Sequence, residues 1–189
     1  MDFSDQNEVR RVVEGCVKGD HNCQKQLYKS LYSKMMGVCY RYTDRPDDAK
    51  DLFQEGFIKV FDKIGKYNFN GSLQGWVRRI MVNNALDHYR KEKNKFAFSE
   101  TSIEAEYLKS DEVDESIYDD LSSNELLEMV QQLSPSYRTI FNLFVMEDYT
   151  HAEIAELLEI SPGTSKSNLA KAKRNLKQMV IERLKLKGV

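Results

Sequence analysis

The sequence is poor in the residues that break or cross-link chains. Its 189 residues include only nine glycines, three prolines and three cysteines. So little glycine and proline argues against collagen-like, low-complexity and turn-dense β folds. An odd number of cysteines without a CxxC pair argues against a disulfide framework and favours a reducing compartment. His21 and Cys23 would need two further ligands to form a structural zinc site, so we expect no metal there.

Long hydrophobic runs are also absent. No uncharged apolar stretch approaches the roughly 18 residues that a membrane span requires. The N-terminus, MDFSDQNEVRR, lacks the apolar segment of a signal peptide. We therefore expect a cytoplasmic protein with no direct membrane insertion.

Charge is abundant and unevenly distributed, although the formal net charge is only −2. Residues 1–95 carry 18 basic and 13 acidic side chains, and residues 123–189 carry nine basic and eight acidic ones. Residues 96–122, between them, carry one basic and nine acidic side chains. This pattern predicts two modules, 1–95 and 123–189, joined by an acidic linker that is flexible because its charges repel one another.

Apolar spacing predicts that both modules are helical, and therefore an all-α fold. In the first module the helical pattern runs over residues 22–43 and resumes in a helix that Pro46 begins. A loop at Tyr67–Gly71 then leads to a helix capped by Ser72. We expect this last helix to end near Lys93.

The second module shows clear helix starts. Capping boxes are predicted at residues 122–125 and 150–153, and Ser134-Pro135 begins a helix between them. The second box opens a short helix over about 151–158, and a tight turn leads to a basic helix from Pro162. Short helix, turn and basic helix make a helix-turn-helix, whose second helix fits the major groove of DNA. A plain helical hairpin with a solvated basic face is the simpler alternative.

Side chains on the outside of the basic helix are the candidates for duplex DNA. The first turns of such a helix reach base edges, while basic groups further along meet phosphates. The candidates are Thr164, Ser165, Lys166, Asn168, Lys171 and Lys173.

The helix after Ser72 carries an unusual polar face. Trp76, Arg79, Asn83, Asp87 and Arg90 share this face at spacings of three and four residues, beside the loop aromatics Tyr67 and Phe69. Rings and forked donors together suit the binding of unstacked bases and their backbone. A core role for the tryptophan is the structural alternative.

The helix from Pro46 has a different outer face. Opposite its apolar stripe lie Asp51, Gln54, Glu55, Ile58 and Asp62. An exposed isoleucine among carboxylates and an amide is typical of a protein interface rather than a metal site.

These segments together resemble a known family. DLFQEGFIKVF (51–61), WVRRI (76–80) and NNALDHYR (83–90) resemble region 2 of bacterial sigma factors. The helix-turn-helix THAEIAELLEISPGTSKSNLAKAKRNL (150–176) resembles their region 4. Two regions with a short acidic linker and no N-terminal extension resemble the extracytoplasmic-function subgroup of the sigma-70 family.

The resemblance implies a role for each segment. The chain would bind core RNA polymerase, recognise the promoter minus-thirty-five and minus-ten elements, and promote strand opening. Docking on the clamp helices of the largest subunit would use Asp51, Gln54, Glu55 and Ile58. The minus-ten element would be captured and opened by Tyr67, Phe69, Asn70, Trp76, Arg78, Arg79, Asn83, Asp87 and Arg90. Ser167 would join the other residues of the basic helix on the minus-thirty-five element. Further expected partners are the polymerase flap and an anti-sigma factor or other regulator.

Two other classes of protein remain as alternatives. One is a two-domain helix-turn-helix regulator that binds duplex DNA without joining core polymerase. The other is a helical-bundle enzyme with a DNA-binding tail. The sequence has no P-loop, nucleophile–base arrangement or metal motif, so we expect no enzymatic activity and no cofactor. The sequence departs from the family at Glu159, where a small residue, often glycine, is usual because the turn is left-handed.

Overall fold

The computed structural model describes residues 1–96 and 122–187, and these residues contain helices and short turns but no strand. The all-α prediction is therefore confirmed for this part of the chain. It divides into two compact units, Met1–His88 and Tyr89–Val189. The predicted acidic linker lies outside the described residues, apart from its two end residues. No helix in the described ranges has the length and hydropathy of a membrane span.

Four helices and one short turn make up the first part of the chain. They are α1 (Gln6–Val17), α2 (His21–Tyr42), α3 (Pro46–Lys63), a 3₁₀ turn (Ile64–Lys66) and α4 (Leu73–Phe96). Pro46 occupies the start of α3 as predicted. Ser72 caps α4, because its Oγ accepts a hydrogen bond from the Gly75 amide at 3.0 Å. α4 continues three residues beyond the predicted end at Lys93.

Helix α1 is an element that our sequence analysis did not predict. Asp5 caps it by accepting hydrogen bonds from the amides of Asn7 and Glu8. The side chains that it buries are Val9, Val12, Val13 and Cys16. α1 packs on α2 and on the 3₁₀ turn, and each buried valine contributes about 1.5 kcal/mol of hydrophobic free energy. The helix is thus an integral part of the first unit.

The core of the first unit is an aromatic and aliphatic layer between its helices. Phe53 and Phe57 of α3 are buried, and Tyr28 of α2 meets the Phe53 ring edge-on with centroids 5.3 Å apart. α3 and α4 approach closely where a Cβ at Gly56 would overlap the sulfur of Met81. One turn further along α4, buried Asn84 donates from Nδ2 to the Leu52 carbonyl at 2.9 Å. These contacts fix which faces of α3 and α4 point outward.

The second unit is built around the C-terminal helix. Its elements after the linker are α5 (Ser123–Gln132), α6 (Pro135–Phe141), a π-helical turn (Asn142–Met146), α7 (His151–Leu158) and α8 (Pro162–Lys187). Both predicted capping boxes are present, at Ser122/Glu125 and Thr150/Glu153. The chief buried side chains are Met129, Val130, Leu133, Ile140, Leu143, Ile154, Leu158, Leu169, Ala172 and Val180.

Adjacent asparagines on α4 give a test of this packing. Asn84 is 2% exposed and bonded to α3, whereas Asn83 is exposed. We expect Asn84→Ala to lower the free energy of unfolding by about 2 kcal/mol, since it removes a buried hydrogen bond and leaves a small cavity. Asn83→Ala should change it by less than about 0.5 kcal/mol. Urea unfolding of the full chain, followed by the fluorescence of its single tryptophan, measures both. Equal losses would contradict the assigned packing.

Candidate functional site

The outer face of α3 is exposed along its length. Asp51, Gln54, Glu55 and Asp62 are all exposed, and Ile58 among them is 61% exposed. The opposite side of α3 is buried, so among the described residues this face is available to another molecule. It combines negative charge with one apolar side chain, as the rim and centre of protein interfaces do. We name residues 51, 54, 55 and 58 the α3 face.

The loop between the 3₁₀ turn and α4, residues 67–72, is held by rings and internal hydrogen bonds. We name it the aromatic loop. The Tyr67 ring lies between two others, with centroids 5.0 Å from Phe69 and 5.6 Å from Trp76. The Tyr67 hydroxyl donates to the Gly71 carbonyl at 2.8 Å. The amide of Asn70 donates to Asn68 Oδ1 at 3.1 Å. These contacts give the loop one defined shape before any ligand binds.

Tyr67 itself corrects a sequence prediction. It was expected to contact DNA, but it is 6% exposed and its hydroxyl is already bonded within the loop. Burial raises the pKa of that hydroxyl, so it stays a protonated donor. Tyr67 therefore supports the neighbouring rings, and Phe69, Asn70 and Trp76 remain at least partly exposed.

Phe69 adopts a backbone conformation that residues other than glycine rarely take. Its φ is +62°, in the left-handed region, where an L-residue costs about 1–2 kcal/mol. The contacts of its ring offset this cost. Tyr67 lies on one side, and the guanidinium carbon of Arg10, from α1, lies 4.4 Å from the ring centroid. This cation–π contact is absent from our sequence analysis, because no local pattern relates α1 to the loop.

The polar face of α4 is only partly available to a ligand. Arg79 and Asn83 are exposed, while Trp76 and Arg78 are half-buried. Asp87 is paired with Lys59 of α3 at 3.2 Å. Arg90, which belongs to the second unit, donates from Nε and Nη2 to the Leu157 carbonyl at 3.1 and 2.6 Å. Of the predicted side chains on this face, Arg79 and Asn83 are thus the most accessible donors.

The helix-turn-helix of the second unit has the predicted turn. Glu159 ends α7 with φ 54° and ψ 49°, the left-handed conformation for which glycine is usual. The Ile160 amide closes the turn on the Ala155 carbonyl at 3.0 Å. Ser161 then starts α8, since its Oγ accepts from the Thr164 amide at 3.0 Å. Buried Ile154 and Leu158 of α7 form the core beneath α8.

Ser165 corrects a second prediction. It was expected on the DNA-facing side, but it is fully buried and its Oγ is hydrogen-bonded to His151 Nδ1 at 2.9 Å. The His151 ring also stacks on Phe144, with centroids 4.5 Å apart. Burial, with the nearby charges of Lys166 and Lys173, lowers the pKa of His151 and favours its neutral form. Ser165 and His151 therefore orient α8 from beneath.

The remaining candidates on α8 lie outward. Thr164, Lys166 and Lys173 are exposed, and Ser167, Asn168 and Lys171 are half-exposed. Lys166 and Lys173 are two turns apart, about 10 Å along the axis. Such a face combines polar groups near the helix N-terminus with positive charge further on, as major-groove binding requires.

The structure offers little to a metal ion in the residues that it describes. Within 1–96 and 122–187, no three His, Cys, Asp or Glu side chains are grouped to hold one. Cys23 is buried, while His21 is exposed with Nδ1 at 3.2 Å from Gln24 Oε1. Burial raises the pKa of Cys16 to about 11 and that of Cys39 to about 12, which keeps both thiols protonated and unreactive near neutral pH.

Comparison with known proteins gives matches to both units. Residues 27–95 match the family described as sigma-70 region 2, and residues 123–176 match sigma-70, region 4. The ECF RNA polymerase sigma factor SigW of Bacillus subtilis is 24% identical, over 91% of this chain and 96% of its own. The RNA polymerase sigma factor SigV of the same species is 30% identical, over 71% of this chain and 77% of its own.

A solved structure is similar over much of the chain. It is the sigma factor RpoE of Bartonella quintana in complex with the anti-sigma factor NepR, with a TM-score of 0.49, 19% identity, and coverage of 82% of this chain and 95% of that one. The two regions occur in the family order, and SigW is matched over nearly its whole length. The chain is therefore an RNA polymerase sigma factor of the sigma-70 family, in its extracytoplasmic-function subgroup.

Proposed function

We propose that the two units of this sigma factor divide the work of promoter recognition. In this proposal, residues 1–95 dock on core polymerase through the α3 face and capture the minus-ten element through the aromatic loop and α4. Residues 123–189 bind the minus-thirty-five element through α8. The observation that carries the proposal is the ordered aromatic loop, whose partly exposed Phe69 ring and the Trp76 ring next to it suit the stacking of unpaired bases.

Magnitudes support a dependence on core polymerase. Opening about a dozen base pairs loses a stacking free energy of about 1.4 kcal/mol per base-pair step, on the order of 17 kcal/mol in all. Each captured base returns about 1–3 kcal/mol. The partly exposed rings here are Phe69 in the loop and Trp76 in the first turn of α4, and two rings cannot supply that sum. Family membership likewise does not favour the alternative of a regulator that acts without core polymerase.

The proposed function implies further binding partners and a place in the cell. Expected partners are the clamp helices and flap of core polymerase, promoter DNA, and an anti-sigma factor or other regulator. Sigma factors are initiation factors rather than enzymes, and we propose no catalytic activity. Because polymerase and chromosome share the cytoplasm, we propose that this chain works there.

Reconstituted transcription tests the function directly. Core polymerase from the organism that encodes this chain is mixed with the purified chain and a library of genomic fragments. We expect transcripts from a defined set of fragments, and none from the same fragments with core alone. Initiation at no site, despite binding to core, would overturn the proposal.

The α3 face is tested by reversing its charge. We expect the double variant Gln54→Ala/Glu55→Lys to bind core polymerase roughly tenfold more weakly, because a like charge replaces a complementary one at the interface. Glu156→Lys, an exposed carboxylate on α7, makes the same charge change elsewhere. Titration of labelled chain with core measures both affinities. Unchanged affinity of the double variant would refute docking through this face.

Two lysines of α8 should differ in their effect on promoter choice. Lys166 is exposed in the first turns, so Lys166→Ala should change the preferred minus-thirty-five sequence. Lys173 lies two turns further along α8, so we expect it to contact phosphate. Lys173→Ala should then weaken binding to all duplex sequences alike and reduce the slope of log affinity against log salt concentration by about one. Binding of the holoenzyme to a randomised minus-thirty-five library, at several salt concentrations, separates the two effects. The same uniform loss from both variants would contradict this division.

Asn83 should act at the strand-opening step. Asn83→Ala removes an exposed amide that would pair with an unstacked base, a contact worth about 1–3 kcal/mol, and we expect roughly tenfold slower opening. Upstream duplex binding should be unchanged. Permanganate oxidation of unpaired thymines reports opening, and Asn22→Ala, an exposed amide on α2, is the control. Normal opening by the Asn83 variant would exclude the assigned contact.

A further inference from the structure

Arg10 of helix α1 contacts the aromatic loop. Arg10 lies with its guanidinium carbon 4.4 Å from the centroid of the Phe69 ring. α1 spans residues 6–17, so it lies outside the sigma-70 region 2 match, which begins at residue 27. The matched residues therefore include Phe69 but not Arg10. It connects an element with no assigned role to the loop that is proposed to capture the minus-ten strand.

We propose that Arg10 is a positioning residue for base capture: its guanidinium holds the Phe69 ring in the orientation that the captured strand requires. The inference rests on the proposed function of the aromatic loop. It assigns to α1 a part in promoter opening in addition to its part in the core. Arg10 acts through Phe69 in this account and needs no contact of its own with DNA.

The backbone of Phe69 explains why the ring needs to be held. In the described residues, positive φ values outside glycine occur at Phe69, Asp148 and Glu159. Phe69 is therefore kept in a conformation that is disfavoured for residues other than glycine, and the contacts of its ring help to maintain it together with the hydrogen bonds of the loop. Tyr67 restrains one side, at a centroid distance of 5.0 Å and an angle of 53°. Arg10 supplies the restraint from outside the loop.

The ion pair of Arg10 with Glu14 is too weak to draw the guanidinium away from the Phe69 ring. Its partner on α1 is Glu14, at 3.9 Å, and both side chains are more than half exposed. Exposed pairs of this kind contribute little to stability. The guanidinium is planar and delocalised and stacks well on rings, which an ammonium group does less effectively. The Arg10 guanidinium is thus available for the cation–π contact with the Phe69 ring.

The next residue provides a matched control. Arg11 has the same charge and lies on the same helix, but its Nη2 donates to Gln26 Oε1 of α2 at 3.1 Å. Arg10 and Arg11 therefore differ in their partner and not in their chemistry. A general effect of charge on α1 would appear in variants of either residue, whereas positioning of Phe69 requires Arg10.

The experiment uses holoenzyme assembled from the full chain and core polymerase. The probe is a fluorescein-labelled fork-junction DNA, whose single-stranded part is the non-template minus-ten strand of a promoter recovered from the genomic library. We expect Arg10→Gln to weaken binding to this probe about three- to fivefold, the effect of losing one cation–π contact. Arg10→Lys should recover part of the loss, and Arg11→Gln should have no effect. Core affinity should be unchanged in all three variants, and urea unfolding should show that each variant still folds cooperatively, with at most a small loss of stability in Arg10→Gln.

A double-mutant cycle with Phe69→Leu decides how Arg10 acts. If Arg10 works through the ring, Arg10→Gln will have no further effect in the Phe69→Leu background. Additive losses, tighter binding by Arg10→Gln, or equal losses from the Arg11 variant would each overturn the inference. Should Phe69→Leu bind the probe normally, the proposed role of the loop itself fails. Should only Phe69→Leu be impaired, the loop retains its role and the assignment of Arg10 falls.

Discussion

The crossing of α3 and α4 is the contact on which the first unit depends. At Gly56 the two helices approach so closely that a Cβ would overlap the sulfur of Met81, and Asn84 adds a hydrogen bond to the Leu52 carbonyl. Both helices are amphipathic, so burying one face of each leaves the other face outward. The crossing thus determines two surfaces together: the acidic face of α3 and the polar face of α4. A rotation of either helix would bury charged groups at considerable cost.

In the second unit, packing and hydrogen bonds likewise fix which side of α8 is exposed. Helix α8 is held from beneath by aliphatic packing and by a small polar cluster, in which His151 stacks on Phe144 and bonds to Ser165. The turn between α7 and α8 contains one residue with a left-handed backbone conformation, and this residue is Glu159 rather than glycine. Its closure by the Ile160 amide and the capping of α8 by Ser161 keep the turn defined despite this departure. On the opposite side of α8, Thr164, Lys166 and Lys173 are exposed.

The aromatic loop, the proposed capture site, is held by several internal contacts. A loop that ordered only on binding would spend part of its interaction energy on lost conformational freedom. Here Tyr67 is buried, the Gly71 carbonyl accepts a hydrogen bond, and the Phe69 ring contacts both Tyr67 and Arg10. The strained backbone at Phe69 is the kind of feature that occurs at functional sites, because surrounding contacts maintain it.

The sequence by itself determined most of the helices after α1, several of their caps and the outward direction of their polar faces. Pro46, the two capping boxes and the apolar spacing are local signals, and each acts within a few residues, so one sequence suffices to interpret them. The left-handed turn at Glu159 was instead expected from the resemblance to the family, and the structure has it.

Only the tertiary structure decided which outward candidates are in fact accessible. Ser165 and Tyr67 occupy positions that a helical wheel or a loop pattern assigns to the surface, yet each is buried by a partner distant in the sequence or by neighbouring rings. Arg10 and Phe69 meet because α1 packs on α2 and on the turn that leads into the loop. Contacts of this kind depend on how whole helices pack, and the periodicity of one segment carries no information about them.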